Sequence, residues 1–209
     1  MMKKSYFLLR QCFLRWSLTL ILVLVAATLM PQPARASENH CILPDGTDLN
    51  ALYGISAQII NPFCTQVDSG ERWTIAGPGW FMNTSFEVVP DGFVQAGATP
   101  LEDFLAKFVA IKHVIDPGTL QERTYVYPVS NDLWIGTLGG FPSVWPGTLS
   151  ITRPLRVGEH VVEVYWIFSA MHCDGFGDMV EFFCLGPGEV EYIPPRPFEV
   201  TPAALQSQD

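Results

Sequence analysis

Positive charge is scarce in this sequence: 12 lysines and arginines stand against 21 acids, for a formal net charge of −9. Five of the basic residues, Lys3, Lys4, Arg10, Arg15 and Arg35, lie in the first 36 positions, which hold no acid. The rest of the chain therefore has seven basic residues against 21 acids, a net −14. Nucleic acid and anionic lipid surfaces, which are bound through clustered Lys and Arg, are not expected partners. Catalytic signatures are missing as well: there is no GxSxG, HExxH, SxxK or CxxC. Gly136-Thr137-Leu138-Gly139-Gly140 lacks the Lys-Ser/Thr that completes a phosphate loop. The apolar run Ser17 to Met30 has 14 residues, whereas a helix needs roughly 20 to span a bilayer. No internal repeat and no low-complexity linker is present.

What is present begins with a basic, acid-free start, then "SLTLILVLVAATLM", then "PQPARAS" with Ala34-Arg35-Ala36 before Ser37. This order is that of a cleaved secretory signal peptide over residues 1–36, exporting the product to a bacterial periplasm or the extracellular space with no stable membrane span. The leader removes Cys12 and leaves Cys41, Cys64, Cys173 and Cys184. Four cysteines in an exported chain predict two disulfides with three possible connectivities. Proximity favours Cys41 with Cys64 and Cys173 with Cys184.

The 173 residues after the leader suffice for one domain, expected over 37–200, with a flexible tail at 201–209. Turn signals such as "PDGT", "DPGT", "WPGT" and "GPGE" separate short apolar runs, the pattern of a mainly β antiparallel sandwich. In "GEHVVEVYWIFSA" alternation places His160, Val162, Val164, Trp166 and Phe168 on the face expected to be core. "HVIDPGTLQERTYVYPV" predicts a hairpin around Asp116-Pro117-Gly118-Thr119, and "LYGISAQII", "RWTIA", "SFEVV" and "GEVEYI" are further strand candidates. The C-terminal segment is expected to be an edge strand broken by Pro194, Pro195 and Pro197. One short α-helix is expected near residues 100–109. Thr99 is its N-cap, Pro100 its first residue, Glu102 completes a capping box, and Leu101, Phe104, Leu105 and Phe108 form its apolar stripe.

"PLRVGEHVVEVYWIF" resembles the late strand of immunoglobulin-like domains of bacterial extracellular proteins. The resemblance implies an immunoglobulin-like sandwich that binds, adheres or spaces, and it carries over no catalytic residue.

Two groups of residues are candidate sites. "MHCDGFGDMVEFFC" puts Asp174, Asp178 and Glu181 between two cysteines. The first reading is a disulfide-stapled turn with Phe176, Phe182 and Phe183 packed inward. The second is a calcium-supported turn using the three acids as ligands, although the alternating acids of an EF-hand are lacking. A zinc or catalytic site would need His172 with a free Cys173, which oxidation would remove. Elsewhere, Trp80, Trp134 and Trp145 fall in or beside glycine and proline turns and are candidates to stack on a ligand. The resulting expectation is an exported binding or structural module for a protein or carbohydrate, without a cofactor other than a Ca²⁺ ion in that loop. The alternatives are a secreted carboxylate-dependent hydrolase or a calcium-supported carbohydrate-binding domain.

Overall fold

A computed structural model describes residues 40–128, 133–146 and 150–203. The expected leader and residues 204–209 of the expected tail lie outside the described residues. The fold is mainly β, with several sheets and, among the described residues, three short helices. No described helix is long and apolar enough to cross a membrane.

The largest sheet has the strand order β2-β12-β9-β5-β6, with β2 at Gln66–Asp68, β5 at Phe108–Ile115, β6 at Arg123–Pro128, β9 at Gly158–Phe168 and β12 at Gly188–Thr201. Its central strand, β9, buries His160, Val162, Val164, Trp166 and Phe168 and leaves the intervening residues partly or fully exposed, the expected alternation. β5 and β6 form the expected hairpin, which turns at Asp116 in the left-handed region, φ 53°.

β12 differs from the expected broken edge strand. It is the longest strand, paired antiparallel with β9 and, at Glu199 to Thr201, parallel with β2. Pro194 and Pro195 are tolerated because the ladder slips there, with register shifts between Glu191 and Ile193 and between Ile193 and Arg196, whereas Pro197 stays in register opposite Val161. Pro194 and Pro195 sit in the second bulge, where the ladder asks for no N–H.

A second sheet, β4-β8-β7, is built from Trp80–Phe81, Phe141–Pro146 and Leu133–Leu138. Two small ladders complete the fold: the parallel pair β1, Gln58–Ile60, with β3, Trp73–Ile75, and the antiparallel pair β10, His172–Cys173, with β11, Cys184–Leu185. "LYGISAQII" is therefore not one strand. Asp48 accepts from the Ala51 N–H and starts helix α1, Leu49–Tyr53, which ends at Gly54 before β1 begins. "SFEVV" is not a strand either. Among the described residues no strand pairs with it, and the chain there is held by Asn83 to Asp174 and Gly175 and by Phe86 packing on Phe93, ring centroids 5.5 Å apart.

Helix α2, Pro100–Lys107, has the expected capping box, with Thr99 Oγ1 accepting from the Glu102 N–H and Glu102 Oε2 from the Thr99 N–H. Its buried face departs from the expected stripe. Phe104 and Phe108 are buried, but Leu105 is exposed and the charged Asp103 and Lys107 are buried instead. The Lys107 ammonium donates to Asp103 Oδ1 at 2.6 Å and to the carbonyls of Val94 and Met171 at 2.7 Å each, which uses all three of its N–H bonds. Asp103 Oδ1 also accepts from the Ala96 N–H, and Oδ2 from Nδ1 of His172 at 2.9 Å. Burial by itself would raise the Asp103 carboxyl. The bonds from His172, Lys107 and Ala96 outweigh it and hold the group below the usual carboxylate range. Burial pushes His172 down, against the pull of Asp103.

The main core joins Val162, Val164 and Trp166 of β9 to Phe104, Trp73, Ile75 and Val144 from the elements facing it. A smaller cluster of Cys41, Leu49, Ile59 and Ala76 surrounds the disulfide between Cys41 and Cys64.

His113 on β5 is fully buried, and burial pushes its pKa down to about 3 from an ordinary 6.5. Between those values the folded chain binds fewer protons at this site than the unfolded one. His113 therefore subtracts stability as the pH falls, by up to about 1.4 kcal/mol per pH unit. His113→Gln should lose less melting temperature than the parent between pH 6.5 and 4. Thermal melts with equal slopes for the two proteins would contradict this.

Candidate functional site: an aromatic cavity under the disulfide loop

The second disulfide, Cys173 to Cys184, joins directly opposed residues of β10 and β11 and closes the loop between them. Within the loop Asp174 Oδ1 accepts from the Phe176 N–H, and the Asp174 N–H donates to the Phe183 carbonyl. Helix α3, Val180–Phe183, completes it. The loop glycines serve close packing. A Cβ at Gly175, φ 84°, would meet the Ser85 carbonyl at 2.8 Å and Pro100 at 2.9 Å, and one at Gly177 would collide with the Phe183 ring.

Phe176 and Phe182 do not pack inward as expected. Both are exposed and, with the half-buried Phe183, they wall a cavity of about 430 Å³. Trp80 and Phe81 of β4 also line it. The lining also includes the fully buried Trp166 of β9 and the half-buried Tyr192 of β12, stacked with ring centroids 3.7 Å apart. Tyr192 occupies the first bulge of β12, between Glu191 and Ile193, and a bulge re-aims the side chain it carries. Three polar atoms of these rings, Trp80 Nε1, Trp166 Nε1 and Tyr192 Oη, are buried and make no hydrogen bond among the described residues. These atoms are sealed from solvent, so what the cavity presents to a ligand is its aromatic lining, Trp80, Phe81, Phe176 and Phe182, beside the carboxyl of Asp174.

Asp174 also borders the cavity and is only 6% exposed. Burial pushes its carboxyl up to about 6, against hydrogen bonding from Phe176. Burial also raises the Tyr192 phenol. Asp178 and Glu181, its partners in the calcium reading, are exposed. Among the described residues no three His, Cys, Asp or Glu side chains converge to hold a metal ion. His172 is engaged with Asp103.

The three candidate tryptophans separate. Trp80 lines the cavity. Trp145 is buried, against Gly79 and in a T-shaped pair with Trp134, centroids 4.6 Å apart. Trp134 is half-buried and also packs on Tyr53, centroids 5.4 Å apart. The alternation of β9 assigned Trp166 to the core, and Tyr192 lay within a strand candidate. Nothing in the sequence marks the bulge that turns Tyr192 toward Trp166.

A larger open groove, about 1020 Å³, runs past Asp116 and His160. The Asp116 and His160 side chains are engaged with the protein itself. His160 Nδ1 meets Asp116 Oδ2 and His160 Nε2 meets the Arg156 carbonyl, both at 2.8 Å, while Asp116 Oδ1 accepts from the Val161 N–H. Neither ring nitrogen is free to act as a base toward a substrate. Asn83 is buried, and its side-chain amide donates to the Gly175 carbonyl.

Fold and cavity together define a disulfide-stapled, mainly β domain with an aromatic cavity beneath its second staple. The chain matches no protein-family model, no curated protein and no solved structure.

Two outcomes follow for this loop. Replacing Cys173 and Cys184 together with alanine should lower stability by about 2 to 3 kcal/mol in urea unfolding, and a cost within error of zero would contradict its role as a staple. Asp174 has the opposite pH sign to His113, because its folded pKa lies above its unfolded value of 3.8. The stability it supplies is present below pH 3.8 and is lost as the pH rises through about 6. Asp174→Asn keeps the acceptor for Phe176 and should gain melting temperature relative to the parent from pH 4 to 6.5. A difference that stays flat across that range would show that Asp174 is not desolvated.

Proposed function

We propose that this chain is an exported, non-catalytic binding module of the periplasm or extracellular space, and that its aromatic cavity takes a saccharide. The observation that carries the reading is the lining of one cavity by the aromatic side chains of Trp80, Phe81, Phe176, Phe182 and Phe183, with Asp174 among them. Sugar rings offer what such a cavity accepts: apolar C–H faces for the aromatic rings and hydroxyl donors for the Asp174 carboxyl. The cavity volume falls in the range of small-molecule sites. Two disulfides are compatible with maturation in an oxidising compartment. Val144 of β8 shares a core with Val162 and Val164 of β9, which supports reading the two larger sheets as layers of an immunoglobulin-like sandwich.

Affinity electrophoresis through gels containing soluble polysaccharides tests the reading. At least one polysaccharide should retard the protein. Trp80→Ala should weaken the retardation at least about tenfold, as loss of a central aromatic anchor does, and Trp134→Ala should leave it nearly unchanged. Retardation equal in the Trp80→Ala variant and the parent would place binding elsewhere.

A further inference from the structure

We propose that the aromatic cavity selects amino sugars, binding a free sugar ammonium at Asp174 in preference to neutral or acidic sugars. This rests on the saccharide reading of the cavity and adds a charge specificity to it.

Three observations lead there. The acids bordering the cavity are Asp174 and Glu191, and among the described residues no lysine, arginine or histidine lines it. Arg196 acts on the Tyr192 hydroxyl but lies outside the lining. Asp174 is nine-tenths buried, yet only its Oδ1 has a partner, the Phe176 N–H at 2.9 Å, which leaves Oδ2 without a hydrogen bond among the described residues. Oδ2 is not sealed from solvent, so an ammonium in the cavity reaches it and adds a charge-assisted bond. Electron-rich ring faces around it attract the same cation.

The aromatic lining makes a second demand. A bare ammonium ion brings no apolar face for these rings, whereas a sugar ring does. A ligand meeting both demands carries a cation on a ring with apolar faces, which is the chemistry of an amino sugar. An acidic sugar would place a second carboxylate beside Asp174 and be rejected by like-charge repulsion.

Tryptophan fluorescence titration of the full domain with three β-linked disaccharides, of glucosamine, of N-acetylglucosamine and of glucuronic acid with a neutral sugar, tests the proposal. The glucosamine disaccharide should bind roughly tenfold more tightly than its N-acetylated counterpart, the equivalent of about 1.4 kcal/mol, and the uronate should bind weakest. The preference should shrink at high salt. Asp174→Asn, which retains the acceptor for Phe176, should bring the amino and N-acetylated ligands to within about twofold of each other. If both bind but without preference, or with a preference that Asp174→Asn leaves intact, the charge specificity is overturned while the saccharide reading stands. If a parent protein that melts cooperatively binds none of the three and is retarded by no polysaccharide, both fall together.

Discussion

A carboxylate with no exposed surface, Asp103, is shared by a buried ammonium and a buried imidazole, and much of the domain is arranged around that sharing. Charge in the interior is tolerated only when its hydrogen-bonding capacity is filled, and here Lys107 spends its three N–H bonds on three different segments. The same cluster fixes the chain before α2 through Val94 and Ala96, and the start of the disulfide loop through Met171 and His172. Replacing such a cluster whole by apolar residues is often tolerated, whereas removing one member strands the others. Its consequence is therefore register: it specifies where α2 lies relative to β10.

That placement reaches the cavity through close packing. Phe104, one residue from Asp103, packs on Trp166 and His172 with ring centroids 5.7 and 5.1 Å away. Trp166 then stacks on Tyr192 in the lining of the cavity, and Pro100 abuts Gly175 in the loop that contributes to that lining. The ion cluster, the helix and the second disulfide thus hold part of the lining, while β4 supplies another part. Rigid placement of rings limits the ordering cost of binding a small ligand.

How much of this was legible in the sequence depends on the range of the interactions. The alternation of β9, the hairpin at Asp116, the capping box at Thr99 and the pairing of near cysteines are local, and they follow from period, turn chemistry and proximity. Asp103 and Lys107 read as ordinary helix-surface charges because their partner, His172, is 69 residues distant from Asp103 in sequence. Pro194 and Pro195 of β12 argue against a ladder until the second bulge, which absorbs them, is known, and the first bulge is what aims Tyr192. Of the site residues, Trp80 and Asp174 were visible as candidates. Their association with Trp166 and Tyr192 was not, because it depends on long-range pairing of β9 with β12.

The most direct test of the central claim is hydrogen–deuterium exchange, followed by mass spectrometry, in Asp103→Asn and the parent. If Asp103 sets the register of α2 and the disulfide loop, exchange should accelerate in peptides covering 94–107 and 171–185 and stay at the parental rate across β6. Unchanged protection in 171–185 would contradict the claim and leave the disulfide and the core as sufficient to hold the cavity in shape.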